Sequence, residues 1–193
     1  MKIDRPKIKQ ERPKDAKKVF SGVIYDIYQW EQELYNGSTT TFEQAKRHHD
    51  SVTILATTTA NKIIITEQIQ PRREPFIGLP GGIIDSGESI LEAAKRELEE
   101  ETGFVAQKWD LWFACQPSSS IDWIVYVLIA KKSVYKHNPS LDGGEKIKTK
   151  LIDFDDFIRI THQQNFRDKE IVLELLKHGK SKRTISELKR KLF

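Results

Sequence analysis

The stretch that decides the reading is Gly82–Phe104, GIIDSGESILEAAKRELEEETGF. Ile90, Leu91, Ala94 and Leu98 recur at three- and four-residue spacings with mostly charged residues between them, the period of a helix with one apolar face. The spacing predicts a helix within Gly87–Thr102, stopped by Gly103, a residue suited to the left-handed conformation that ends helices. At 3.6 residues per turn, Glu97 lies three residues before Glu100 and four before Glu101, so these three project from nearly one face while Glu99 points elsewhere, into solvent. Like charges so arranged repel unless a cation sits among them, and a hard divalent ion held by carboxylate oxygens is the simplest such cation. That reading requires the oxygens to converge rather than be splayed apart or tied up by Arg and Lys. A solvated acidic helix face is the plain alternative.

A set of fixed offsets separates the two. From Gly82 the order is Gly, five residues, Glu88, seven residues, Arg96-Glu97-Leu98, one residue, Glu100-Glu101, one residue, Gly103-Phe104. Preceded by Leu79-Pro80-Gly81, it matches the Nudix box at every position, and the chain resembles the Nudix hydrolase family. The resemblance implies an α+β class, the layered α/β/α Nudix fold with a mixed sheet. It also implies hydrolysis of a diphosphate joined to a nucleoside or similar group, with Mg²⁺ or Mn²⁺ on the box helix. Carried over by position, Glu97, Glu100, Glu101 and the backbone carbonyl of Gly81 are the implied metal ligands, and Glu97 shares in proton transfer. Such an ion neutralises diphosphate oxygens, polarises phosphorus and lowers the pKa of a bound water. Gly82, Glu88, Arg96 and Gly103 are the scaffold of the box. Arg96 is expected to pair with a carboxylate and hold the preceding loop, and Gly81, Gly82 and Gly87 suit a loop that bends sharply and approaches a ligand closely.

Working outward, Val19, Ser21, Val23, Tyr25 and Ile27 alternate with mixed neighbours, and Asn36-Gly37 separates them from the Thr-rich run Ser38–Phe42, as in a hairpin. Val52–Thr57 and Lys62–Gln68 read as strands, and Pro71–Gly82 as a loop. Beyond the box, Trp109–Ala114, Ile121–Ala130 and Lys146–Ile152 read as strands, then Asp153–Ile160, Asp168–His178 and Thr184–Leu192 as helices, the last opening on the capping box Thr184-x-x-Glu187. Strands, one helix, strands again and then helices argue for an α+β or layered α/β/α domain and against a doubly wound parallel sheet. The expected organisation is a basic flexible arm at 1–18, an N-terminal β unit at 19–50, a Nudix hydrolase domain at 51–162 and a basic helical extension at 163–193.

Residues 20–160 further resemble the ADP-ribose pyrophosphatase branch, through Asn36-Gly37-Ser38, Phe42-Glu43, Arg47, Glu67-Gln68 and Pro117. In that branch the N-terminal strands help build a homodimer and its substrate site, so a homodimer is implied. The chain departs from the branch at three places: Gln70 stands where Arg is usual, Gly78 where Glu is usual before Leu-Pro, and Ser118-Ser119-Ser120 follow Pro117 in place of Gly and an acidic residue. A second carboxylate on a late mobile loop is often the general base in such enzymes, and Glu145, after Asp142-Gly143-Gly144, occupies the equivalent stretch. Arg47, Arg72 and Arg73 are candidates for phosphate contacts, since a guanidinium grips phosphate with two hydrogen bonds. Trp30, Tyr28 and Trp123 could stack on a nucleobase, although aromatics on strands are commonly core. His48-His49 lacks partners at ligand spacing and is not read as a metal site.

The 193 residues suffice for one domain with appendages, and a mean hydropathy of -0.55 fits a polar exterior. The longest apolar run, Trp123–Ala130, has eight residues against the roughly 20 of a spanning helix. No apolar run follows the basic N-terminus, so neither a membrane span nor a secretory signal is expected. A lone cysteine, Cys115, forms no internal disulfide, and a cytoplasmic location is expected. Residues 1–18 carry eight Lys/Arg against three Asp/Glu and residues 177–193 seven against one, so the ends hold +11 and the body -7 of the total +4. An acidic body suits divalent cations and weakens any nucleic-acid reading except through the tails.

The expected reaction is hydrolysis of a nucleoside diphosphate sugar, ADP-ribose first, to a nucleoside monophosphate and a sugar phosphate by metal-activated water. The alternatives are a pyrophosphohydrolase for nucleoside triphosphates or another diphosphate-linked metabolite, and a non-catalytic regulator that binds a nucleotide sugar.

Overall fold

The computed structural model describes residues 3–141, 143–177 and 182–193. The chain opens with β1 (Lys17–Ser21), β2 (Tyr25–Glu33) and β3 (Thr39–Arg47), followed by β4 (Ser51–Thr58), β5 (Ile63–Ile69) and β6 (Phe76–Gly78). The box helix α1 (Ile90–Thr102) leads into β7 (Phe104–Val105), β8 (Lys108–Cys115), β9 (Ile121–Asp122), β10 (Val125–Tyr135) and β11 (Lys146–Ile152). Three helices close the chain: α2 (Phe154–Thr161), α3 (Lys169–Lys177) and α4 (Lys182–Leu192).

Two mixed sheets result. A four-stranded sheet runs β1-β2-β3-β9, and a seven-stranded sheet runs β11-β5-β4-β10-β7, with β6 on β5 and β8 on β10. β4 and β10 pair in parallel, as do β3 and β9, and the other pairs are antiparallel. The larger sheet is buried on both faces, which explains its nearly unbroken apolar strands. Tyr126, Leu128 and Ala130 of β10, with Val52 and Ile54 of β4, pack under Ala93, Ala94 and Leu98 of α1. Val125, Val127 and Ile129, with Leu55 and Ile63, pack against Phe157 of α2, Ile171 of α3 and Leu188 of α4. Helices therefore cover both faces, the α/β/α layering expected of the Nudix fold.

Two predicted strands divide. The Val19–Ile27 alternation breaks at Gly22, whose N–H donates to the Tyr25 carbonyl at 2.8 Å and turns the chain from β1 into β2. The Ile121–Ala130 run breaks at Trp123-Ile124, where the Ile124 N–H is taken by the Asp50 carboxylate at 2.8 Å, so β9 joins one sheet and β10 the other. Thr184 lies inside α4, which already runs from Lys182, so it does not open that helix. Asp142 and His178 lie outside the described residues.

The segment ahead of β1 has no regular structure, yet residues within 3–12 make specific contacts with the body. Ile3 and Ile8 pack on the core beneath α1. Arg5 bridges Asp50 and Asp122, each at 2.7 Å, and the Lys9 N–H donates to the Gln116 side chain at 2.7 Å. The segment has no periodicity because its contacts are individual side chains reaching distant partners, and such contacts leave no local pattern.

Helix α1 is capped at both ends. Ser89 and Glu92 form a reciprocal capping box, and Gly103 takes the left-handed conformation at φ 72° with its N–H on the Glu99 carbonyl. A Cβ at Gly103 would stand 1.9 Å from the His137 carbonyl oxygen. Gly103→Ala is expected to lose at least the ~1–2 kcal/mol that a left-handed non-glycine residue costs, read as a lower urea midpoint with an unchanged m-value.

Candidate functional site

The site is built where the Gly81-Gly82 loop meets α1 and β4. The loop lies along β4 as a short antiparallel stretch: Val52 N–H donates to the Gly82 carbonyl at 2.9 Å and Ile54 N–H to that of Pro80 at 2.8 Å. Among the described residues the Gly81 carbonyl is not one of those taken up by β4. A Cβ on Gly81 would come within 2.3 Å of the Val52 carbonyl, and one on Gly82 within 2.3 Å of Glu97 Oε1. Only paired glycines let this backbone lie between a strand and the carboxylate of a helix.

Arg96 ties helix to loop. Its Nε and Nη2 donate to the two oxygens of Glu88, both at 3.0 Å, and Nη2 also donates to the Ile83 carbonyl at 3.0 Å. Nη1 donates to Glu97 Oε1 at 2.8 Å and to Glu100 Oε2 at 3.2 Å. Three predicted carboxylates therefore gather around one guanidinium. Glu101 is buried elsewhere on the same helix, accepting the Gly81 N–H on Oε2 at 3.0 Å and the Gln68 side-chain amide on Oε1 at 3.4 Å. Burial pushes the Glu101 carboxyl up to about 8, against the pull of Arg167 and the Gly81 N–H and with added repulsion from Glu97 and Glu145. Burial also raises Glu97, with Arg96 opposing and Glu100 and Glu145 adding to the rise. Glu99, expected in solvent, instead meets His137 Nε2 at 2.8 Å, because the chain after β10 folds back over the helix end.

Glu97 and Glu100 are thus tied by Arg96 and Glu101 by the Gly81 N–H and Gln68, and the three do not form a finished cage: among the described residues no group of three or more His, Cys, Asp or Glu side chains is arranged to hold a metal ion. The chemistry of the donors still fits a hard divalent cation. They are carboxylate oxygens, on Glu101, which is buried, and on Glu97, which is half-buried; desolvation first and neighbouring carboxylates second disfavour their charged forms, and a bound cation would favour them.

Beside the loop lies a cavity of about 270 Å³ bordered by Gly81, Gly82, Arg47, Arg73, Arg167 and Glu170. Arg47 lies over the Trp123 ring at 4.8 Å and donates to Ser51 Oγ at 2.9 Å, and the Trp123 indole N–H reaches the same oxygen at 2.9 Å. Arg72 and Arg73 are both exposed, Arg72 with a left-handed backbone (φ 60°), and of the two it is Arg73 that borders the cavity. Trp30 is a core residue of the smaller sheet, edge-on to Phe42, and the Tyr28 ring is covered by Arg12. His48 and His49 turn to separate partners, Asp26 and the Ile84 carbonyl. Glu145 sits just ahead of β11, whose register sets Lys146 opposite Ile69, and accepts the Gln70 amide on Oε1 at 2.9 Å.

Sequence reading gave no role in the site to Gln68, which it noted only as part of Glu67-Gln68, or to Arg167, Asp168 and Glu170. Asp168 accepts the Leu79 N–H at 2.6 Å and Arg167 donates to the Leu79 carbonyl at 2.8 Å, so this pair fixes the strand that feeds the loop. A Cβ on Gly78 would lie 3.0 Å from Asp168 and 3.3 Å from Arg167 Nε. The missing side chain at Gly78 was the available signal that something else occupies that space.

A profile of the NUDIX domain matches residues 47–175. The chain belongs to the Nudix family. This Nudix chain is 32% identical over 162 residues to an ADP-ribose pyrophosphatase of Bacillus subtilis (strain 168), covering 82% of this chain and 87% of that one. It is 30% identical over 184 residues to a methanol dehydrogenase activator of Bacillus methanolicus, covering 89% and 98%. The solved structure of an ADP compounds hydrolase superposes with a TM-score of 0.70 over 90% of this chain and 98% of that one, at 19% identity, a likeness of fold. The chain is accordingly a hydrolase of the class that acts on diphosphate bonds, related to ADP-ribose pyrophosphatases. Among the described residues no helix is long and apolar enough to cross a membrane.

Burial and the neighbouring Asp168 charge push Glu170 up from 4.5 to about 7. A carboxyl raised on folding stays protonated in the native state while the unfolded chain ionises, so stability falls as pH rises from about 4.5 to about 7 and levels above it. Glu170→Gln removes that term. The wild-type minus variant difference in unfolding free energy is expected to drop across this window by up to about 3 kcal/mol, checked by urea titrations at pH 4.5, 6 and 8.

Proposed function

We propose that the chain hydrolyses a nucleoside diphosphate sugar, ADP-ribose in the first place, to a nucleoside monophosphate and a sugar phosphate. The observation that carries this reading is the adjacency of the box carboxylates and an arginine-bordered cavity across the same two glycines. One side supplies acidic oxygens for a cation, and the other supplies Arg47, Arg73 and Arg167 for phosphate. The identity to an ADP-ribose pyrophosphatase supports the choice of substrate.

Glu97, Glu100, Glu101 and the Gly81 carbonyl would hold Mg²⁺ or Mn²⁺, which when bound neutralises diphosphate oxygens and makes water more acidic. Arg47 and Arg73 orient the substrate in the cavity. Glu145 accepts the proton of the attacking water on a carboxylate oxygen as the new P–O bond forms and the anhydride P–O bond breaks, releasing two phosphomonoesters. Arg96 keeps the loop in register with the helix throughout.

A homodimer through the smaller sheet is part of the proposal, supported by Phe20, Val23 and Tyr35, which are exposed on or beside its strands. Trp30 then serves as core of that sheet rather than as a stacking platform. A cytoplasmic location fits the lone cysteine. Retention of every box carboxylate favours the enzyme over a non-catalytic regulator, even though one relative is named an activator. A role for the basic tails in nucleic-acid binding has no support in the site.

A panel of ADP-ribose, other nucleotide sugars and nucleoside triphosphates, with products resolved by chromatography, tests the substrate. ADP-ribose is expected to be turned over fastest, and preferred turnover of triphosphates overturns the assignment. Glu100→Gln and Glu101→Gln are each expected to lower kcat at least ~100-fold, and chelation of divalent ions to abolish turnover. Unchanged turnover in both variants removes these residues from the metal site.

A further inference from the structure

Gln70 occupies a position that the scheme above does not use, and its side chain is fully engaged. Nε2 donates to Glu145 Oε1 at 2.9 Å and to Gln68 Oε1 at 3.3 Å, while Oε1 accepts Arg73 Nη1 at 3.1 Å. Gln68, 1% exposed, passes the line on, its amide reaching Thr66 Oγ1 at 3.0 Å and Glu101 Oε1 at 3.4 Å. The backbone explains why these groups meet. Gln68 and Gln70 are two residues apart on the line of β5, so their side chains fall on one face. The antiparallel pairing of Ile69 with Lys146 sets Glu145 beside Gln70.

A chain of uncharged amides therefore joins the cavity arginine, the loop glutamate and the box-helix glutamate. An amide suits this place because it offers two donors and an acceptor at once, which neither a carboxylate nor an ammonium does. It orients a carboxylate through one oxygen without adding a neighbouring full charge. Gly143 and Gly144 precede Glu145, and a Cβ on either would meet nothing within 4 Å. Among the described residues, the Gln70 amide is the side-chain partner that holds the Glu145 carboxylate.

We propose that Gln70 is the positioning residue of the reaction: through Nε2 it holds the Glu145 carboxylate in line with the box helix and links it, through Gln68, to Glu101. This inference rests on the reading of Glu145 as the proton acceptor. A positioning residue acts only through the group it holds, so its effect vanishes when that group is gone.

The test is a double-mutant cycle on the full chain with ADP-ribose and Mg²⁺, using Gln70→Ala and Gln70→Met, the latter retaining bulk while losing both donors, each alone and combined with Glu145→Gln. Thermal unfolding of every variant guards against loss of fold. Glu145→Gln alone is expected to lower kcat ~100-fold or more. Each Gln70 variant is expected to lower kcat ~10-fold with KM within about twofold. The combined variants are expected to match Glu145→Gln alone. Multiplying effects, or a Gln70 defect confined to KM, overturns the positioning role while leaving Glu145 as the base. A Glu145→Gln enzyme with normal kcat overturns both.

Discussion

Everything in the site depends on one guanidinium that is asked to satisfy three carboxylates and a carbonyl at once. Arg96 lies on the exposed-to-buried boundary of the box helix and grips Glu88 by both oxygens, which fixes the loop, and Glu97 and Glu100 by one oxygen each, which fixes the acidic face. A lysine could not do this, because a single ammonium lacks the planar fork that meets a carboxylate with two parallel bonds. The same contacts hold the acidic oxygens in a compact but incomplete arrangement, with one cation of the protein's own standing where charge is densest.

The sheet underneath explains how such a site is kept in place. β4 contributes to both cores and also receives the Gly81-Gly82 loop along its edge. Its parallel pairing with β10 puts Val52 and Thr53, which border the arginine cavity, at the middle of the most thoroughly buried part of the molecule. Functional groups on the loop thus inherit rigidity from a strand buried on both sides, while Glu145 stands at the end of an edge strand, β11, behind two glycines.

Much of this was legible in the sequence wherever one stretch of chain carries its own signal. The box helix, its glycine stop, the hairpin turn at Asn36-Gly37 and the alternation of strands and helices follow from local periodicity, and the structure places them within a few residues. Arg72 and Arg73 show the limit. Nothing in the sequence distinguishes two adjacent arginines, and it is the folded loop that sets Arg73 rather than Arg72 at the cavity. Arg167 and Asp168 come from the other end of the domain, where the sequence shows only the start of a helix, and tertiary folding brings them onto Leu79. The proposed metal site falls between these cases: the helix sets the face, but Arg96 and the depth of Glu101 decide how the carboxylates are held.

The N-terminal segment carries a consequence for how the molecule is made. Arg5 is bonded to Asp50 and Asp122, residues 45 and 117 positions further along the chain. Contacts of such separation form late, since the intervening chain must first be ordered. During synthesis, Arg5 cannot complete its pair of contacts until Asp122 has been made. The segment ahead of β1 thereby settles after the strands it latches, joining Asp50, just ahead of β4, to Asp122 of β9.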